Sequence, residues 1–386
     1  MRRSRVYGGL IALLVGSTAV VGPTAGASAS AIGDGVCEPV VQSARPAKGL
    51  QQKWATFGDR ARAGEWAGGD GTYSMPLPDG RTAWLYNDTF LGPVGPGRSI
   101  TPHDPVHNTI VTSPRGSDRP TRTILNGTAK NPLPIVGPAG TEKPWYWNGD
   151  GIVDNGKLYV FEFQQQAAGE GHFGFEWIGT DLAALSLPDL RLRKVTPTYD
   201  GHGIQWGVKL LRSGGYIYIY GVGSTQWPGK QAHVARAKVG HLDGAWEFYT
   251  GSGWSPEEGD AAVILDEVGS SYGVAQVQGQ YVLVTTDSYL GSKIYVHTAA
   301  TPFGFAGSER VEVYDTPEGQ PEYDADAAGD IYTYNVAVHP TLSTRNNLVV
   351  SYNMNSTSIA DLYGDISNNR ARFLDLRFAP AHRNCH

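Results

Sequence analysis

The chain has 386 residues, a net charge of −6, 50 glycines and 11% aromatic side chains. An acidic balance argues against a protein that tracks nucleic-acid phosphates. Glycine and aromatic residues at this level point to an all-β domain of many short strands joined by turns.

At the N-terminus Arg2, Arg3 and Arg5 precede an apolar run from Val6 to Val21, and small residues follow at Ala25–Ala31. This is the layout of an export signal, with Ala27-Ser28-Ala29 and Ala29-Ser30-Ala31 as cleavage sites. Residues 1–31 are therefore expected to be a signal peptide, and 32–386 a single mature domain, secreted and monomeric. No later segment offers about 18 uninterrupted apolar residues, so no membrane insertion is expected. Cys37 lies just after the signal and Cys385 next to the last residue. In an oxidising compartment that pair predicts a disulfide closing nearly the whole chain into a ring.

Five segments then share one layout: a polar or aromatic start, an alternating strand, a turn, and an apolar strand ending in small polar residues. The first, Gly69 to Phe90, turns at Asp79-Gly80. The next begins at Trp147 and turns at Asn155-Gly156; the third begins at Ile204 and turns at Gly214-Gly215. The fourth, from Ser270, turns around Gly279, and the fifth, from Tyr332, has a longer turn near Ser343–Asn347. Asp-Gly, Asn-Gly and Gly-Gly supply the positive φ that two-residue hairpin turns require. Further strands lie between the hairpins, for example from His233 and from Lys293. Successive second strands are roughly 60 to 75 residues apart, room for a four-stranded blade, and repetition at that scale reads as a propeller. The expectation is a five-bladed β-propeller whose last blade meets its first where the two cysteines would be joined.

The innermost strand of each propeller blade lines the channel, so Asp70, Asp150, Gln205, Tyr272 and Asn335, at the starts of the hairpins, should face its mouth. Asp70 and Asp88 are symmetric about residue 79, the turn of the first hairpin. Residues so related sit opposite each other on adjacent strands, with Cβ atoms ~4.5–5.5 Å apart. Proximity or burial then raises one pKa and makes an acid and a base of the same residue type. Glycoside hydrolysis uses such a pair. Asp70, Asp88 and Asp150 are thus the catalytic candidates: Asp70 as base, Asp88 as acid, Asp150 orienting the sugar or holding the acid's pKa high. Trp147, Gln205, Trp206, Tyr272 and Asn335 are the candidates for binding sugar, since flat rings with a polar edge suit sugar faces. Trp145, Tyr146 and Tyr334 crowd the same mouth.

Each candidate also has a plain structural reading. Asp70 and Asp150, beside glycines, suit turns, and Asp88 suits the cap of a turn leaving its strand. Propellers also pack aromatics between blades; Trp84 is assigned to the core. Glu162, at the place in blade 2 that Asp88 holds in blade 1, reads as a solvated strand end, and His339 as a core or strand-end residue. Asp324, Asp326 and Asp330 alternate without the spacing of a calcium loop. No cofactor is expected, with a structural calcium ion in the channel left open.

Four stretches, GGDGTYSMPLPDGRTAWLYNDTFLG, WNGDGIVDNGKLYVF, VARAKVGHLDGAWEFYTGSGW and YTYNVAVHP, taken in order, resemble a group of secreted five-bladed propellers. These were once catalogued only as domains of unknown function, and one branch is the endo-D-arabinanases. The likeness runs from Trp54 to Tyr352. It implies hydrolysis of internal α-D-arabinofuranosyl linkages in bacterial envelope arabinan, with two aspartates of the first blade as acid and base. Asp70 and Asp88 match that pattern. Gln205 and Ser224 replace any carboxylate in the third blade, which weakens an L-arabinanase reading. The alternative is a non-catalytic, lectin-like sugar-binding propeller. It would repeat its binding residues in every blade, whereas the channel residues here differ from blade to blade.

Overall fold

Alternating strands and tight turns shape all five hairpins, and each becomes the inner half of one antiparallel sheet. The computed structural model describes residues 38–223, 229–320, 323 and 330–380. Cys37, Cys385, Ser224, Asp324, Asp326 and the expected signal peptide lie outside them.

Blade 1 consists of Trp66–Pro76, Thr82–Leu91, Thr109–Ser113 and Arg122–Ile124. Blade 2 follows with Trp145–Asp154, Lys157–Ala167, Phe175–Ser186 and Leu192–Pro197. Blade 3 has Ile204–Ser213, Tyr216–Gly223, Lys230–Lys238 and Glu247–Tyr249, extended by two short strands, Trp254–Ser255 and Leu265–Val268. Blade 4 contains Gly273–Val277, Gln280–Thr286, Lys293–Ala299 and Val311–Asp315. In blade 5, Ile331–Val338, Asn347–Ser356 and Arg372–Phe378 are joined by Val41–Pro46 from the other end of the described chain. The first strands of the blades touch one another in order around the axis, blade 5 against blade 1. The protein is a five-bladed β-propeller.

Backbone chemistry explains the hairpins. Asn155 and Gly156 have φ of 44° and 72°, Gly214 and Gly215 of 56° and 83°, and Gln278 and Gly279 of 53° and 88°. Two successive positive φ values give the turn whose twist matches paired strands.

Closure rests on the pairing of Val41–Pro46 with Arg372–Phe378, Ala44 facing Leu376. The helix Lys48–Asp59 then buries Leu50 and Trp54. Trp54 meets Trp66 and Trp84 edge-on, with ring centres 5.2 and 5.0 Å away, and Trp84 is in the core as expected. Arg370 ties the seam: its Nε donates to the Ala67 carbonyl and its guanidinium pairs with Asp59 in the helix, both at 2.7 Å.

Four of the five inner strands break their ladder near the channel mouth. The irregularities lie between Gly69 and Tyr73, Asn148 and Gly151, Trp206 and Lys209, and Tyr334 and Ala337. Such bulges bend a strand and re-aim its side chains.

Candidate active site

A cleft of about 650 Å³ opens at these bulged strand ends. Asp70 and Asp88 of blade 1, Trp147 of blade 2, Gln205 of blade 3, and Tyr334 and Asn335 of blade 5 share its walls. In blade 1 the register about residue 79 holds on both sides of the site, Tyr73 facing Leu85 and Gly69 facing Thr89. Between those pairs the bulge takes Asp70 and Asp88 out of the ladder. Gly71 turns there with φ of 85°, and Thr72 with φ of 55°, a left-handed geometry costly for a β-branched residue.

The two carboxylates have contrasting surroundings. Asp88 Oδ1 accepts a 2.8 Å hydrogen bond from Trp147 Nε1 and lies 2.8 Å from His107 Nδ1. His107 stacks on Trp145 with ring centres 5.3 Å apart. Burial pulls the His107 pKa down, but its hydrogen bond and charge interaction with Asp88, aided by Gly140 and Asp104, outweigh that and carry it upward. Asp70 Oδ2 accepts from the Tyr334 hydroxyl, which itself accepts from Asn355 Nδ2 at 3.2 Å. Asp70 Oδ1 is enclosed without a partner. Burial, then the charge of Asp88, push the Asp70 pKa from 3.8 up to about 7, against the opposing pull of Tyr334.

Several expectations need correction. Trp206 and Tyr272 do not line the cleft; both are fully enclosed between blades. Trp206 Nε1 donates to Glu258 at 2.8 Å, and the Tyr272 hydroxyl to the Gly221 carbonyl at 2.9 Å. Alternation is the reason for Trp206: with Gln205 turned to the cleft, its neighbour faces the other way. Asp150 is also enclosed, 2.6 Å from Lys209 Nζ and accepting from the Leu210 amide at 2.9 Å. It is off the cleft wall, with its charge balanced inside the protein. Glu162 is buried rather than solvated, and opposite Asp181 on the neighbouring strand. Burial, then Asp181, raise its pKa well above the ordinary range. His339 is a core residue, 2.8 Å from Ser74 Oγ, with its pKa lowered to about 3 by burial and by Lys209. Asn335 has φ of 51° and accepts from Ser270 Oγ at 2.8 Å.

The cleft also holds residues that sequence reasoning missed. His107 sits just before the third strand of blade 1, at the same end as Asp88. His172 and Phe173 lie between the second and third strands of blade 2; His172 Nε2 is 2.7 Å from the Tyr332 hydroxyl. The glycines at 169, 171 and 174 mark that loop in the sequence, at the end where Asp70 and Asp88 lie. Among the described residues no three His, Cys, Asp or Glu side chains gather as a metal-ligand group.

Residues 51–377 match DUF5005, described as a domain of unknown function. The chain belongs to that family. No curated protein matches this DUF5005 member by sequence. A crystal structure from Bacteroides ovatus ATCC 8483, provisionally described as a hydrolase, superposes with a TM-score of 0.66 at 19% identity, over 84% of this chain and 88% of that one. At that identity the likeness shows a shared fold. A GH43_1 enzyme of Xanthomonas citri complexed with xylose reaches 0.49 at 12% identity, over 87% and 95% of the two chains, too distant to carry an argument.

Proposed function

We propose that this DUF5005 propeller is a secreted glycoside hydrolase that cuts internal arabinofuranosyl linkages of a polysaccharide, in the manner of an endo-D-arabinanase. One observation carries the reading: two carboxylates of one hairpin share a cleft, and burial together with the charge of Asp88 holds Asp70 toward its protonated form. An acid and a base made from one residue type is what glycosidic hydrolysis needs. A purely sugar-binding propeller has no use for a carboxyl group held at about 7.

The surroundings favour the reverse of the roles expected from sequence. Asp70, poorly solvated and slow to ionise, suits the acid; Asp88, with an indole N–H and an imidazole at Oδ1, suits the base. Asp88 takes a proton from water as the water oxygen bonds to the anomeric carbon. The bond from that carbon to the leaving oxygen breaks, and Asp70 delivers its proton to that oxygen. The arabinan specificity rests on the sequence resemblance, and secretion on the N-terminal signal. Trp147, Phe175 and Tyr332 supply rings along the cleft for sugar faces.

Reducing-end release from D-arabinan, L-arabinan and xylan tests this. D-Arabinan should be cut, and Asp70→Asn or Asp88→Asn should each lose on the order of 10²–10⁴-fold in kcat. Cleavage of xylan instead would overturn the specificity and leave the acid–base pair standing. Near-normal turnover in either variant would remove that residue from the mechanism.

A further inference from the structure

A second groove lies at the far end of the propeller, between the outer parts of blades 1 and 2, with a volume of about 980 Å³. It includes Asp79 and Arg81, at the turn that closes the first hairpin, whereas Asp70 stands at that hairpin's other end. Six residues of strand at about 3.3 Å each separate the two by roughly 20 Å. The groove is distinct from the cleft.

Its walls are cationic. Arg122 comes from the outer strand of blade 1, Arg191 and Arg193 from the edge of blade 2, and all three are exposed. Arg191 and Arg193 flank the half-buried Leu192, and both line the groove. Among the described residues none of the three is paired with a carboxylate. Two aspartates share the lining, but Asp79 is occupied by Arg81, 2.7 Å away, and Arg81 also donates to the Pro188 carbonyl at 2.5 Å. That contact joins the two blades, and leaves Asp189 as the lining's other carboxylate beside three arginines without an ion-pair partner among the described residues. The floor between the walls is aliphatic, formed by Ile124, Ile135, Leu190 and Leu192. A positive groove of this size stands out in a chain whose net charge is −6.

We propose that this groove binds an acidic polysaccharide, with uronate carboxylates on Arg122, Arg191 and Arg193 and sugar rings on the aliphatic floor. Guanidinium forks match carboxylates in two-point geometry. Arginines from two blades around one hollow suit a chain with repeating acidic groups, whereas a flat bilayer surface does not reach the aliphatic residues between them. Held on such a chain at one end, the protein gains effective concentration for whatever its cleft engages.

Affinity electrophoresis through polygalacturonate, with neutral dextran as control, tests the site without reference to catalysis. Polygalacturonate should retard the native protein, dextran should not, and added salt should weaken the effect. The Arg122→Gln/Arg193→Gln double variant should lose about tenfold or more in affinity, since each guanidinium gives up charge-assisted hydrogen bonds. Arg191→Gln alone, a second variant should the first not fold, should lose less, and Asp70→Asn should bind as the native protein does. Absence of retardation, equal retardation of the double variant, or tighter adsorption to phosphatidylglycerol vesicles than to the polymer would each overturn the assignment. Loss of retardation in Asp70→Asn would transfer the binding to the cleft and overturn it equally.

Discussion

Asp70 stores a cost in the folded state. Its pKa rises from 3.8 to about 7 on folding, because burial and Asp88 disfavour its charge. The folded protein therefore holds this proton more tightly than the unfolded chain. The stabilising contribution is complete below about pH 4 and is lost as pH rises toward 7. Asp70→Asn keeps an oxygen for the Tyr334 hydroxyl and removes the charge, so it should match the native protein near pH 4 and exceed it in stability at pH 8. At 1.36 kcal/mol per unit, relaxation included, the gain should be on the order of 1–4 kcal/mol. Equal denaturant midpoints at pH 8 would refute it. His107 acts through Asp88, as a positioning residue. His107→Ala should lower kcat about 10–100-fold with KM little changed, and His107→Gln, which keeps a donor, should recover part of the loss. A proportional rise in KM instead would make His107 a substrate contact. Asp70 and Asp88 were legible as a pair because a hairpin turn maps one strand onto the other. His107 as the Asp88 partner and Lys209 as the Asp150 partner were not. His107 comes from a loop, and Lys209 from the next blade, and no local periodicity records either contact.

At the level of strands, turn chemistry made the hairpins readable, and the bulges made the site hard to read. Alternation says which residues share a face only while the ladder is regular; two positions slip at the Trp206–Lys209 irregularity. Tyr272 precedes its strand rather than belonging to it, so its place in the row of hairpin starts carried no information about its direction. Glu162 read as solvated because carboxylates rarely go inside unpaired, and only the packing of blade 2 against blade 1 overrides that preference. The bulges also set tight limits on sequence. Gly207 has φ of 97°, and a Cβ there would meet the Phe161 ring at 2.1 Å. Gly207→Ala combines a left-handed backbone with an overlap in the interface of blades 2 and 3. It should cost about 3 kcal/mol or more in urea unfolding. A loss below about 1 kcal/mol would mean that the blades move apart freely at this point, contrary to their packing.

A propeller is a ring of sheets made from an open chain, so its stability depends on the seam. Five blades and a meeting of the chain ends were legible in the repeats. The strand Val41–Pro46 as the outer edge of blade 5 was not, because VQSARP neither alternates clearly nor sits beside a turn that would name its partner. Its ladder runs from Pro46 opposite Leu374 to Val41 opposite Phe378, and the Ala379 amide continues it by donating to the Val40 carbonyl at 2.9 Å. Cys37, four residues before Val41 in the sequence, and Cys385, seven after Phe378, lie outside the described residues, and we propose the disulfide expected from sequence as a further tie at this seam. Such a bond would hold the seam from outside the ladder and close a loop of nearly the whole chain, worth about 5 kcal/mol in the chain-entropy model. In the unreduced mature protein both thiols should resist alkylation, and reductant should lower the melting temperature by several degrees. The Cys37→Ser/Cys385→Ser variant should melt at that lower temperature and respond no further to reductant. If both cysteines alkylate in the native, unreduced protein, the seam is held by the strand pair and the Arg370 contacts alone.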